Sequence, residues 1–454
     1  MTVSQQLAGF LTATSADALP SRALDHAAML VASTIASAAY GAALESAAMI
    51  RDLAREQGGR ADASVWFTGD RLPVAATAQV NAVMSDAAAS DDSDLRNIVH
   101  CGTPLTAASL AMAERTGASG EAMLRAIVLG YEAAGRISAA ITPGFRDRGF
   151  HGCVGAVFAA ATSSGVLLRL DAARLAQAIA LAATSIGGLA TAADTSVARE
   201  YHAGLATLLG VNAALAAARG YRVELAILEA RRGFFEAFGG VDGAAAGAAA
   251  LTGPGESWDI MTDMAIKLVP GGHPYHAIAE AAANAAQAGD IRAADIIGIV
   301  IARPGMTALT GPLHPRNLID MAHSPAYFAA AGAADRMFSW QHAGAAKIAD
   351  PAIHRLIDLI SVGDLPPSAV AAAYRQGATV TIRSRDGRQA TDTVLVPKGA
   401  GALGIAWHDV DAKYRTLVPA SGLGASAVEA SLAVIHALRS ATDVASLIRT
   451  VTGA

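Results

Sequence analysis

Over residues 1 to about 258 the chain alternates long apolar stretches with short polar breaks at the spacing of helices. The predicted helices are Leu24 to Ala48, Pro104 to Thr116, Ser119 to Ala139, His151 to Leu168, Ala172 to Ala192, Gly204 to Arg219 and the short Glu224 to Ala230. Most are bounded by Gly, Pro, Ser or Asp. Ser119-Gly120-Glu121-Ala122 reads as a helix start with an acid in the first turn. The period then changes. Ile296 to Ala302 is a strand-like apolar run, and Ala378 to Arg385 alternates in period two. Asp386-Gly387 supplies a hairpin turn, and Gln389 to Val396 returns. Helix resumes from Val428 to Val451, where Val428, Leu432, Ile435 and Leu438 form an apolar stripe that needs burial. The organisation expected is mainly α with an α+β insert. Residues 1–259 and 401–454 make a large helical domain from both chain ends, with the C-terminal helices docked on the N-terminal ones. Residues 260–400 make a smaller α+β domain. No internal repeat stands out.

Composition sharpens this picture. At 454 residues the chain exceeds one small core. It is 53% hydrophobic but only 5% aromatic, and the apolar mass is mostly alanine, which predicts closely spaced helices. A net charge of −5 with no basic cluster excludes nucleic acid as the expected partner. Before the first base, Arg22, stands one acid, Asp17, so no secretory signal fits. The longest uncharged run, Gly149 to Leu168, is just long enough to span a bilayer. It contains His151, three later glycines and Thr162-Ser163-Ser164, so it reads as a buried core helix, and no membrane partner is expected. Two cysteines, Cys101 and Cys153, make no disulfide scaffold and fit a reducing cytoplasm.

Four polar segments carry candidate chemistry. In Gly149-Phe150-His151-Gly152-Cys153 a histidine opens the buried helix, where unpaired N–H groups favour anions. Its side chain titrates near neutral pH, which suits either catalysis or a hydrogen-bonded core role. Ser90-Asp91-Asp92-Ser93-Asp94 is followed by His100 and is either a solvated acidic loop or part of a site. Arg199 and His202 lie about one helical turn apart and share a face if the segment is helical, either as an ordinary solvated helix start or as part of a site. Lys267 stands in an apolar segment before a Gly/Pro turn with His273 and His276; it is a surface snorkel or an anion clamp, and the turn favours the clamp. The His100-Cys101 and His151-x-Cys153 spacings do not match those that converge on zinc, and no metal is expected. No dinucleotide fingerprint, P-loop or hydrolase elbow stands out. What remains is cofactor-free acid–base chemistry on an anionic substrate.

Together these segments resemble the MmgE/PrpD family over nearly the whole chain. Ala88-Ala89-Ser90-Asp91-Asp92-Ser93, then His100, is similar to the family's Leu-Asp-Phe-Asp-Asp-Thr, then His. Gly130-Tyr131-Glu132, Gly149-Phe150-His151 and Arg199-x-x-His202-Ala203-Gly204 resemble family segments in the same order. Ile266-Lys267 with Pro270 and His276, and Ser324-Pro325-Ala326-Tyr327, continue it. The chain departs from the pattern at Ala89 for Asp, Ser93 for Thr and Arg199 for Lys.

The resemblance implies a helical domain, an α+β lid with the active site in the cleft, a homodimer, and no cofactor. It also implies chemistry that begins with a proton on carbon next to a carboxylate. The expectation is a lyase, a hydro-lyase acting on a small di- or tricarboxylic acid. An epimerase, a decarboxylase and a non-catalytic helical binding protein are the alternatives. His151 is the expected acid/base and His100 its partner. Asp91, Asp92 and Ser93 orient His100 or a substrate hydroxyl, and Tyr327 reaches in from the lid. Lys267 and Arg199 clamp carboxylates, with His202 and His276 as further binding residues. The departures at Ala89 and Arg199 imply a poor 2-methylcitrate dehydratase and a poor cis-aconitate decarboxylase.

Overall fold

A computed structural model describes residues 1–452. The chain divides into two compact units, Met1–Ile266 with Gly404–Ala454, and Lys267–Leu403. The whole is mainly helical with a small mixed sheet.

The first unit is built around Cys153–Leu167, a helix with Val166 as its one residue outside the core. Its small side chains let three helices close on it: Gly102–Thr116, Gly120–Ala140 and Ala198–Ala218. At Gly155 an added Cβ would lie 2.0 Å from Ser138 Oγ, so only glycine permits that approach. Ser119 caps Gly120–Ala140 as the sequence predicts, its hydroxyl accepting from Ala122 N at 3.2 Å with Glu121 in the first turn.

Several predicted boundaries move. Leu24 to Ala48 is two helices, Ser21–Gly41 and Glu45–Gln57, meeting at 94°. Ala172 to Ala192 breaks after Ala182, because Phe150 and Leu189 pair as an isolated β-bridge in the gap. Glu224 to Ala230 is a run of turns rather than a helix. Val428 to Val451 is Ala425–His436, a short 3₁₀ turn and Ala445–Thr452.

The C-terminal return matters for the site. Trp407–Leu417 and Ala425–His436 pack on Ser21–Gly41, with Val428, Leu432, Ile435 and Leu438 buried. Lys413, 1% exposed, donates from Nζ to Ser33 Oγ at 2.8 Å and to the Ser90 backbone carbonyl. A buried ammonium persists only when oxygens replace its water. Here one of those oxygens belongs to the acidic segment.

The second unit holds a four-stranded sheet ordered Ile360–Val362, Ile296–Ala302, Ala378–Ser384, Gln389–Val394. Its first pair is parallel and the others antiparallel. The predicted turn is present, with Gly387 at φ 86°. Helices His273–Ala288 and Pro325–Asp335 pack against each other, and the former also packs on the last two strands.

One straight helix among the described residues, Ala198–Ala218, is long and apolar enough to cross a membrane, and 56% of its apolar window is buried inside the fold. The run singled out in the sequence, Gly149 to Leu168, forms a helix of only 15 residues.

Candidate active site

His151 precedes its helix rather than lying in the first turn: the helix begins at Cys153, and Val154 N donates to His151 O at 3.3 Å. Two further backbone bonds pin it, His151 N to Gly188 O at 3.0 Å and Ala190 N to Gly149 O at 2.9 Å. The histidine is thus clamped between a helix N-terminus and the segment 188–190. Burial first, then the positive charges of His100, His202, Arg199 and Arg146, hold its pKa well below the ordinary 6.5. Its ring is a neutral imidazole at pH 7, and its Nδ1 is buried with no hydrogen-bond partner.

His100 has the opposite surroundings. Its Nδ1 lies 2.6 Å from the Asp92 carbonyl, 3.1 Å from Asp91 Oδ2 and 3.2 Å from Ser93 Oγ. A carbonyl only accepts, so Nδ1 carries the proton and the neutral ring keeps its lone pair on Nε2. Asp91 then offers a carboxylate to the imidazolium. Asp92 turns its own carboxylate the other way, accepting from Gly102 N at 2.7 Å and from Tyr131 OH at 3.1 Å. Of the expected trio, Asp91 and Ser93 bring their side chains close to His100 Nδ1, and Asp92 brings its backbone carbonyl. Asp92–Asp94 is itself a strand, antiparallel to Met264–Ile266, with Asp92 opposite Ile266. Ala89, at the first departure from the family pattern, has a φ of 50°, left-handed backbone that costs an alanine about 1–2 kcal/mol.

Arg199 sits in the same cluster, but Asp86 already occupies its fork. Nε donates to Asp86 Oδ1 at 2.7 Å and Nη2 to the Asp86 carbonyl at 2.6 Å. A free bidentate grip is not what this arrangement offers; the guanidinium acts as a fixed positive charge. His202, partly buried, lies with its ring centroid 5.2 Å from that of His151, and burial lowers its pKa despite the opposing Asp86 charge. Cys153 Sγ donates to Gly187 O at 3.3 Å, and burial, with Asp86 adding, pushes its thiol to about 12. The metal-ligating atoms of His151, Cys153 and His202 all lie within 4.8 Å of one another. Gly188 makes room for them: a Cβ there would stand 2.6 Å from Cys153 Sγ and 3.2 Å from His202 Nδ1.

The other predicted residues belong to the second unit. Lys267, 3% exposed, is the covalent neighbour of Ile266. His276, 4% exposed, packs on Phe328 at 5.8 Å and borders a cavity of about 220 Å³ with Glu280, Arg336 and Lys398. Tyr327 corrects the expectation that it reaches in from a lid. It is fully buried in its own unit's core, its hydroxyl donating to His342 O at 3.0 Å.

Three participants escaped the sequence reading. Asp86 is the only charged residue between Leu72 and Ser90, a signal that was there to be used. Arg146 lies in the short helix Gly144–Asp147, five residues before His151, and Cys153 lacks a partner at a recognisable spacing.

The MmgE/PrpD N-terminal domain model matches residues 5–253, and the MmgE/PrpD C-terminal domain model matches residues 270–440. No curated protein matches the chain. Members of the matched family are generally enzymes, dehydratases among them. Two models in sequence order cover nearly all of the chain, and the chain belongs to the MmgE/PrpD family.

Proposed function

We propose that this protein is a hydro-lyase that removes water from a hydroxy-di- or tricarboxylic acid without a metal or organic cofactor. The observation that carries the reading is the pair of imidazoles with opposed surroundings. His151 is held neutral by burial and neighbouring positive charge, and His100 has a carboxylate 3.1 Å from the nitrogen that carries its proton. Environments that push two titratable groups apart assign a base and an acid.

In the proposed reaction His151 takes the proton from carbon next to a substrate carboxylate. Charge builds on that carboxylate and is offset by Arg199, Arg146 and Lys267. The C–O bond to the hydroxyl breaks as the His100 imidazolium protonates the departing oxygen, giving an alkene and water. The proton gained by His151 and the one lost by His100 are then exchanged with solvent. Ser93 and Asp91 act as positioning residues through His100, and His202 borders the substrate. Lys267, the residue after the strand Met264–Ile266, is the further cation proposed. A small carboxylate substrate, a homodimer and a cytoplasmic location complete the reading.

The test is a panel of hydroxy-di- and tricarboxylates followed by absorbance of the unsaturated product. Folded His151→Gln is expected to lose at least about a hundredfold in turnover, the lower range for a general base. Near wild-type turnover in that variant overturns the assignment. Solvent-deuterium exchange with inversion and no alkene identifies an epimerase instead.

A further inference from the structure

Spacing along the chain gave Cys153 and His151 no third ligand, and the fold brings one in. The Ala198–Ala218 helix carries His202 to the end of the Cys153–Leu167 helix, beside both residues. We propose that His151, Cys153 and His202 form a site for a soft divalent cation, zinc foremost, whose occupation silences the enzyme. The silencing half rests on the reading of His151 as the catalytic base; the binding half does not.

Four features of the geometry support the site. First, the three ligand atoms are within 4.8 Å of one another, so small rotations bring them to the roughly 3.3–3.7 Å separations of a tetrahedral zinc centre. Second, two imidazoles on one tetrahedral zinc, each bonded at about 2.0 Å, hold their ring centroids roughly 5 Å apart. Those of His151 and His202 are 5.2 Å apart. Third, Nδ1 of His151 and Nδ1 of His202 are both buried without a hydrogen-bond partner, a cost that a shared cation relieves. Fourth, Gly188 keeps open the space between the thiol and the His202 ring that a Cβ would fill.

The ligand set selects the ion. Thiolate with imidazole favours zinc over magnesium or calcium, which take oxygen ligands. Three protein ligands leave the fourth position to a water molecule. Binding replaces the thiol proton: the S–H bond breaks, the sulfur bonds the metal, and one proton leaves to solvent. Both rings are already neutral and give up nothing. The thiol's present bond to Gly187 O is the contact that must be exchanged. Once Nδ1 of His151 is bound to metal, its Nε2 carries the remaining proton and the ring cannot accept another.

Cobalt(II) is the probe, because a thiolate ligand announces itself by a charge-transfer band in the near ultraviolet. The full-length, metal-stripped protein is titrated with cobalt and then with zinc. One equivalent of cobalt is expected to raise the band and zinc to bleach it. Cys153→Ser is expected to abolish the band. His202→Gln should weaken cobalt binding at least about tenfold, since losing even an outer partner of a ligand costs that much. Circular dichroism verifies that each variant is folded. No band in the folded wild type, or a band that survives Cys153→Ser, overturns the site. Zinc bound at one equivalent with turnover undiminished sustains the site and overturns the role given to His151.

Discussion

Replacing Asp86 by asparagine removes one charge from an ion pair whose two side chains are 2% and 12% exposed. Arg199 then keeps its charge inside the protein with its nearest counter-ion gone. Breaking a buried pair in this way costs about 3–5 kcal/mol. Asparagine retains an oxygen where Asp86 Oδ1 accepts from Nε at 2.7 Å, and the backbone carbonyl that accepts from Nη2 is untouched. Asp91 also acts on Arg199 from nearby. The loss is therefore expected at the low end, about 3 kcal/mol, with Asp86→Ala nearer the top of the range. Urea unfolding at pH 7, followed by circular dichroism, measures it. The double variant Asp86→Asn/Arg199→Met is expected to recover most of the loss, because no charge is then stranded. A second readout is local: Asp86 helps push the Cys153 thiol up, so that thiol's pKa should fall in Asp86→Asn. A single variant within about 1 kcal/mol of wild type would place the pair among solvent-screened surface bridges and refute the reasoning.

Three further outcomes are expected. Lys413→Met keeps the side-chain length but removes the charged hydrogen bonds to Ser33 Oγ and the Ser90 carbonyl, leaving that carbonyl only its bond from Ser37 Oγ; a stability loss of about 1–3 kcal/mol, with a lower kcat in protein that remains folded, is the anticipated result in parallel denaturation and rate assays. Tyr327→Phe should cost about 1–3 kcal/mol by leaving the buried His342 carbonyl unpaired while KM and kcat stay put, and a kinetic defect without a stability defect would restore Tyr327 to the site. Acid should destabilise the fold through His151. Its folded pKa lies well below the unfolded value of 6.5, so its contribution is complete above that value and drains away as pH falls below it. The slope approaches about 1.4 kcal/mol per pH unit. Melting curves between pH 7.5 and 5 should fall less steeply for His151→Gln than for wild type.

What the sequence made legible was local. The hairpin from Ala378 was readable because alternation, Asp386-Gly387 and the return strand are adjacent. Helix Gly120–Ala140 announced its start through Ser119, whereas Val74–Ala87, a helix with little apolar asymmetry because nearly all of it is buried, announced nothing. His100 with Asp91 could be seen because they lie nine residues apart in one segment. The strand pair Asp92–Asp94 and Met264–Ile266 could not: three polar residues have no strand signature, and their partner is some 170 residues away. Arg199 reads as an open clamp in the sequence for the same reason, since nothing within its own helix reveals that Asp86 already fills its fork. Tyr327 was recognised by a motif, and a motif carries no information about which way a buried ring faces.

The ammonium of Lys413 gives the protein a timetable. Every histidine and acid of the proposed catalytic cluster has been synthesised by residue 202, yet the Ser90 carbonyl, already bonded to Ser37 Oγ at 3.0 Å, meets its ammonium partner only after another 323 residues have followed it. At about 10 residues per second that is roughly half a minute on the ribosome. During that interval Ser90 has its bonds to Ser37 but still lacks the buried ammonium. The fold thus makes the last helices the step that completes the packing of the first ones, because the buried charge beneath Ser90 arrives only with the C-terminal return.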